Sequence, residues 1–329
     1  MPTEASWIPR FAGLRVLVIG DLMLDEFIWG SVSRISPEAP VPIVNVTGET
    51  FYPGGAANVA RNLRSLGAKT SLLGIAGDDA SGSRLSGLLT EAGIDTAGVL
   101  RCPGYHTILK TRVIARHQQV VRVDRERPFT LTPVLRTQFL EFIDQAMERI
   151  DGVVVADYGK GLLDQDLADH ICRTAAARGK VLAVDPHPHT SLVWKSAAAV
   201  KPNRIEAFHA AGMRPSAAVE NVMLDEPLLT AANRLLRDWQ PRCLLVTLGE
   251  QGMLLFEAGQ APHHIPTRAK EVFDVSGAGD TAISVFTLGL MAGATPRDAA
   301  ELANRASGIA VGKLGTATVT PAELEASFA

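Results

Sequence analysis

The chain has 329 residues, with 32 Lys plus Arg against 35 Asp plus Glu, for a formal net charge of −3. That balance withholds the basic surplus with which nucleic-acid binders displace counterions from phosphates, so no nucleic-acid partner is expected. At 47% hydrophobic and 20% charged residues, the composition is globular, and the length is enough to bury a core without disulfides or metal. An apolar run, Val16–Ile19, predicts a fully buried first strand leading into Gly20-Asp21. Ala56, Val59, Ala60, Leu63 and Leu66 recur at helical spacing, and Gly67 stops that helix. A strand near Ser71–Ile75 follows, then a helix carrying Leu85, Leu88, Leu89 and Ala92. Thr132-Pro133 supplies a cap and a first-turn proline for a long helix with Leu135, Phe139, Ile143 and Ile150 on one face. Strands at Val153–Val155, Val181–Val184, Ala198–Val200 and Leu244–Thr247 alternate with helices that end at Gly179 and span Leu228–Trp239. Short all-apolar strands alternating with amphipathic helices predict an α/β fold with a mostly parallel sheet covered on both faces.

Two segments break this alternation. Residues 27–47 and 105–127 mix β-branched, charged and proline residues without a helical period, which predicts half-exposed strands forming a small sheet that rises off the main one. Their proline-broken apolar edges predict a homodimer, because exposed edges are usually covered. Cys102, Cys172 and Cys243 are too far apart to form a framework and point to a reducing, cytoplasmic setting. Residues 1–10 carry no apolar stretch of signal-peptide length. The uncharged Thr281–Pro296 is short for a membrane span and reads as a buried helix.

The chemistry concentrates in glycine-framed motifs. In Asp274-Val-Ser-Gly277-Ala278-Gly279-Asp280-Thr281 the glycines can turn main-chain N–H groups toward one point at a helix start, which is an anion hole. Asp280, in the first turn, is placed to take a proton from a hydroxyl that attacks a phosphoryl group. Residues 277–282 also fit the dinucleotide fingerprint G-x-G-x-x-A, but Asp298, at the distance of the ribose-binding acid, sits in what looks like a helix start. Gly54-Gly55-Ala56-Ala57-Asn58 opens a helix, with Asn58 offering donor and acceptor to a polyol. Asp21 and Asp25 follow the first strand, where one can face the crevice at the strand ends. Asn203 and Glu206, three apart, suit hydrated Mg²⁺ or phosphate oxygens. Thr247, Gly249 and Gly252 close a buried strand with a glycine turn. His187, His189, His263 and His264 lack metal-ligand spacing, and no Walker sequence is present.

In this order and spacing, residues 54–67, 74–79 and 274–281 resemble the PfkB (ribokinase-like) carbohydrate kinase family over essentially the whole chain. Val275-Ser276 departs from the threonine common there. Within the family, residues 33–42 and Ala156-Asp157-Tyr-Gly-Lys160-Gly161 are similar to the D-glycero-D-manno-heptose 7-phosphate kinases of lipopolysaccharide-core precursor synthesis, some of which are fused to a nucleotidyltransferase. The end at Ala329 gives the expectation of a stand-alone kinase. The resemblance implies one ribokinase-like domain over residues 1–329, a three-layer α/β/α core with a β lid at about 27–47 and 105–127. It implies ATP and Mg²⁺ as cofactors, with a monovalent cation as a further one, and phosphorylation of the sugar C1 hydroxyl. Asp280 matches the family base, with Gly277, Ala278 and Gly279 as the hole. Asn203 and Glu206 fall near Mg²⁺ and phosphates, Glu206 through water. Thr247, Gly249 and Gly252 match the nucleotide loop, with Asn304 near base or ribose. Asp25, Gly54, Gly55 and Asn58 match the sugar site, joined by Asp157. A 7-phosphate needs cations, for which Arg34, Lys110, Arg112, Arg116, Arg122 and Lys160 stand by charge and position. The competing readings are a kinase of another sugar, sugar phosphate or nucleoside, and a non-catalytic binding protein on the same fold.

Overall fold

The computed structural model describes residues 4–116, 118–269 and 271–328. In chain order, β1 (Arg15–Gly20) runs almost directly into two long strands, β2 (Leu22–Ile35) and β3 (Pro42–Gly55), followed by α1 (Ala56–Ser65), β4 (Lys69–Gly77), α2 (Ala80–Glu91) and β5 (Asp95–Cys102). Then come β6 (Ile108–Ala115), β7 (Gln118–Arg125), α3 (Pro133–Ala146), β8 (Gly152–Ala156), α4 (Gln165–Ala177), β9 (Val181–Asp185), β10 (Ala199–Val200) and α5 (Arg204–Ala210). The last part holds α6 (Glu226–Trp239), β11 (Cys243–Thr247), β12 (Met253–Glu257), β13 (His263–Ile265), α7 (Ala278–Met291), α8 (Pro296–Ala310) and α9 (Pro321–Ala326).

The large sheet has the order β13-β12-β11-β10-β9-β8-β1-β4-β5, parallel from β11 through β5 and antiparallel only at β12 and β13. β1 shows why its run Val16–Ile19 is apolar without a break. Val16 and Val18 enter the core shared with α1, α7 and α8, while Leu17 and Ile19 enter the opposite core with α3, α4 and α6, and all four are fully buried. A strand buried on both faces cannot carry the alternation of a half-exposed one. The result is the expected three-layer α/β/α core. Thr132 caps α3 through Leu135 N–H, with Pro133 in the first turn as predicted. Helix α7 is buried along residues 281–290, which explains its uncharged sequence. Among the described residues no helix is long and apolar enough to cross a membrane.

The second sheet, β3-β2-β6-β7, is separate from the first, so the two irregular segments are not an edge of the main sheet. Its strands begin earlier and end later than 27–47, since Leu22–Leu24 already pair with residues 53–55. Those apolar residues extend the β1 pattern, and the sequence carries no break except Asp21. Strands β5, β12 and β13 were not expected. β5 holds Asp95, Gly98 and Arg101 and lies at the sheet edge, which hides the buried-strand signature. Residues 277–282 follow a loop and open α7, and Asp298 lies in the first turn of α8, so no βαβ dinucleotide unit exists there.

Candidate active site

The parallel strands deliver polar residues to one end of the sheet: Asp21 after β1, Asp157 after β8, Asp185 at the end of β9, Lys201 after β10 and Thr247 at the end of β11. This is the crevice where open α/β sheets bind ligands. The start of α7 faces it. Gly277 adopts φ 82 as the residue before α7, where an added Cβ would also come within 2.9 Å of Asn58 Nδ2, so only glycine fits the turn. The N–H of Ala278 donates to the Val275 carbonyl at 3.3 Å. Among the described residues the N–H groups of Gly277 and Gly279 have no backbone partner. Of the three N–H groups expected to form the hole, that of Ala278 is therefore occupied within its own turn, and those of Gly277 and Gly279 are left without a backbone partner among the described residues.

Both carboxylate oxygens of Asp280 are held. Oδ1 accepts from the Tyr158 hydroxyl at 2.6 Å, and Oδ2 accepts from Asn58 Nδ2 at 2.6 Å. Burial pushes the Asp280 carboxyl above its ordinary range, against the pull of these two donors and of Lys201. Asn58, fully buried on α1, thus grips the acid rather than lining an open sugar site. Lys201 is 3% exposed at the side chain, with Nζ 3.0 Å from Asp185 Oδ1 and 3.5 Å from where a Gly279 Cβ would sit. Burial pulls the Lys201 pKa down, but Asp185, Glu206 and Asp280 outweigh it, so the ammonium keeps its charge.

Thr247, Gly249, Gly252 and Asn304 all line one cavity of about 460 Å³ that reaches Ala278 and Gly279, a size suited to a small-molecule ligand. Asn304 lines it with its amide already donating to the Pro266 carbonyl at 2.7 Å. Thr247 is tied to the segment before α5, its N–H donating to the Pro202 carbonyl at 3.0 Å. Asn203 and Glu206 are not two positions on one helical face. Asn203 caps α5, Glu206 N–H donates to Asn203 Oδ1 at 2.9 Å, and Asn203 N–H donates to Glu206 Oε2 at 2.6 Å. This reciprocal capping box accounts for the N-x-x-E spacing, and its cap residue Asn203 bridges to Thr247, with Glu206 partly buried. Burial raises the Glu206 pKa.

On the opposite side, Asp25 on β2 is 4% exposed and forms an ion pair with Arg112, whose guanidinium also stacks over Phe27. Gly54 lies across the ladder from Met23. A Cβ there would overlap Asp25 Oδ2 and come 2.9 Å from Met23 Cγ. On the expectation that Asp25 meets the sugar, Gly54→Ala should displace it and raise KM for the sugar at least about tenfold, leaving KM for ATP within about twofold. Steady-state kinetics with each substrate varied in turn reads this. Gly55 ends β3 with φ 59, its Cβ position also blocked by Met23. Asp157 accepts from Gly159 N–H at 2.8 Å and from the Thr190 hydroxyl at 2.6 Å, so it braces two loops.

The cations divide sharply. Lys110 bonds Asp124 and Glu126, Arg122 bonds Asp124, and Lys160 bonds Glu126. Arg34 and Arg116 are exposed and lie along the small sheet away from Asp25, by nine residues of β2 (about 30 Å) and by six residues past its partner Lys110 (about 20 Å). The geometry does not bring these two to Asp280 of the same chain. Tyr158, Lys201 and Asp185 were not singled out from the sequence. A signal for Lys201 exists: a lone charge ending the apolar run 197–200 has to be paired or functional.

Residues 14–323 match the family model described as pfkB family carbohydrate kinase. Curated relatives named "Bifunctional protein HldE" include those of Desulfatibacillum aliphaticivorans, 44% identical over 98% of this chain and 64% of that protein, and of Helicobacter pylori (strain G27), 41% identical over 94% and 65%. The chain spans less than two thirds of the length of these relatives. Among solved structures, Arabidopsis thaliana ribokinase complexed with ribose and ATP superposes with a TM-score of 0.73 at 18% identity, covering 96% of this chain and 98% of that one. Phosphofructokinase-2 from Escherichia coli in complex with substrates and products gives 0.74 at 20%, with 96% and 98% covered. At these identities the likeness is one of fold.

Proposed function

The chain belongs to the pfkB family of carbohydrate kinases, and on that premise we propose that it transfers the γ-phosphoryl group of ATP to the C1 hydroxyl of D-glycero-β-D-manno-heptose 7-phosphate, giving the 1,7-bisphosphate. The observation that carries the reaction is Asp280, pinned by Tyr158 and Asn58 where the cavity of Thr247 and Gly252 meets the Gly277–Gly279 turn. The acceptor rests on the resemblance of residues 33–42 and 156–161 to the heptose 7-phosphate kinases. Phosphoryl transfer asks mainly for positioning and charge stabilisation. Asp280 takes the proton of the attacking hydroxyl, Asp25 orients the sugar, and the Gly277 and Gly279 amides with the Lys201 ammonium face the transferring group. The cavity and its glycine rim fit a nucleotide. Among the described residues no group of three or more His, Cys, Asp or Glu converges as a metal site. That fits Mg²⁺, which arrives largely on phosphates and water and would meet Glu206 through water. Held there through water by Glu206, it would supply neutralisation of the negative charge on the transferring phosphoryl group.

An ADP-release screen over sugars, sugar phosphates and nucleosides tests the acceptor. Heptose 7-phosphate should give the highest kcat/KM, and a free sugar or nucleoside outrunning it would replace the acceptor while keeping the reaction. Equal affinity for heptose with and without the 7-phosphate would remove the phosphate receptor. The same reading places the enzyme in the cytoplasm, where ATP is available, with a monovalent cation as a further cofactor. It also pairs two copies through the small sheet, whose outer strands leave Val46, Val121 and Val123 exposed. Light scattering should give twice the chain mass, and a monomer at micromolar concentration would sink the pairing.

A further inference from the structure

We propose that Tyr158 is a positioning residue for the Asp280 base and that the buried carboxylate of Asp21 holds Tyr158 in place; this rests on the reading of Asp280 as the base. Tyr158 is the second residue of the loop after β8. Its backbone is caught from below: Asp21 Oδ2 accepts from the Tyr158 N–H at 3.0 Å and from the Lys160 N–H at 3.2 Å. Asp21 is 4% exposed and sits between β1 and β2, so it is anchored to an inner strand of the large sheet. With the loop fixed there, the phenol reaches up to Asp280 Oδ1 at 2.6 Å. A second brace holds the loop from the side, through Asp157 and Thr190.

The chemistry of each group suits the role. Burial and the nearby Asp280 and Asp185 carboxylates push the Tyr158 phenol well above its ordinary pKa, so it remains a donor at every working pH. A donor to one oxygen and Asn58 on the other leave the carboxylate a single orientation, with its remaining lone pairs for the acceptor hydroxyl. Lys201, Asp25 and Asp185 are the other charges that face Asp280 or its partner. Asp21 is raised to about 6, burial being the largest cause, and it is faced by Asp157 and Tyr105 beside the two amides. Protonation of Asp21 weakens its hold on the amides, which couples the loop to pH near 6.

Tyr158→Phe keeps the ring and removes only the hydroxyl. The carboxylate loses a donor, so its pKa rises. Expected are a kcat lower by about tenfold or more, an acid limb of the kcat–pH profile moved up by about one unit, and KM for nucleotide within about twofold. Asp21→Asn, with Asp21→Ser as the smaller alternative if the amide disturbs the fold, should lower kcat in the same direction and flatten the profile near pH 6. Asp280→Asn is measured alongside. An inactive Asp280→Asn beside a Tyr158→Phe with the parent's kcat and acid limb overturns the positioning role. A Tyr158→Phe effect without any from a folded Asp21 variant overturns the Asp21 anchor. An active Asp280→Asn overturns the underlying reading instead.

Discussion

Asp280→Asn should fold, bind both substrates and turn over at least about 100-fold more slowly, the low end of what a general base contributes. The amide is isosteric with the carboxylate, so the loss isolates proton acceptance from shape. Its oxygen can accept from Tyr158 or from Asn58 but not from both, and the Tyr158 hydroxyl can turn to accept from the new N–H₂. Stability should not fall. The folded pKa of Asp280 lies above its unfolded value because burial disfavours the charge, so at neutral pH the ionised acid opposes folding and a neutral amide relieves that cost. The same sign governs activity: the base is lost as pH falls through its raised pKa. Thermal melts, nucleotide titration and single-turnover kinetics check the three statements together. Near-parent turnover in the variant would strip Asp280 of its role.

The architecture was readable because strands of a parallel sheet covered on both faces carry continuous apolar runs, as Val16–Ile19 of β1, Val153–Ala156 of β8 and Cys243–Val246 of β11 do. β5 was not, because an edge strand tolerates Asp95 and Arg101, and the start of β2 was not, because Leu22–Leu24 look like more of β1. In the site, the glycine frame of residues 277–279 is local in sequence and so could be found by inspection. The grip on Asp280 is not local: Asn58 and Tyr158 lie 222 and 122 positions away, and only the strand order brings them together. Asn203 and Glu206 show a different limit, since the spacing that suits a ligand pair is also that of a helix cap. The cations of the small sheet show a third. Charge and position nominate Lys110, Arg122 and Lys160 for a phosphate, but Asp124 and Glu126 hold them: Lys110 across the β6–β7 ladder, Arg122 from two positions along β7, and Lys160 from the loop after β8. Of these, the pairings of Lys110 and Lys160 are ones a linear reading does not carry.

Replacing Lys201 should cost more than replacing any of those cations. It is the buried positive charge among Asp185, Glu206 and Asp280, and Lys201→Met leaves those acids without it. Breaking a buried pair from one side costs about 3–5 kcal/mol, so the single variant should melt lower and also lose turnover. Those two effects have separate origins, and a second substitution separates them. Removing both members of the pair, as in Lys201→Met with Asp185→Leu, exchanges an ion pair for apolar packing, a change that is often neutral or favourable. The double variant should therefore regain most of the stability. If, as proposed, the ammonium beside the Gly279 turn is a preorganised charge at the transferring group, turnover should stay at least about 100-fold down, since losing one such donor costs on the order of 100- to 1,000-fold. Recovery of both stability and kcat in the double variant would reduce Lys201 to a structural counter-charge, and among the protein's own groups the Gly277 and Gly279 amides would then be left to meet the phosphoryl charge.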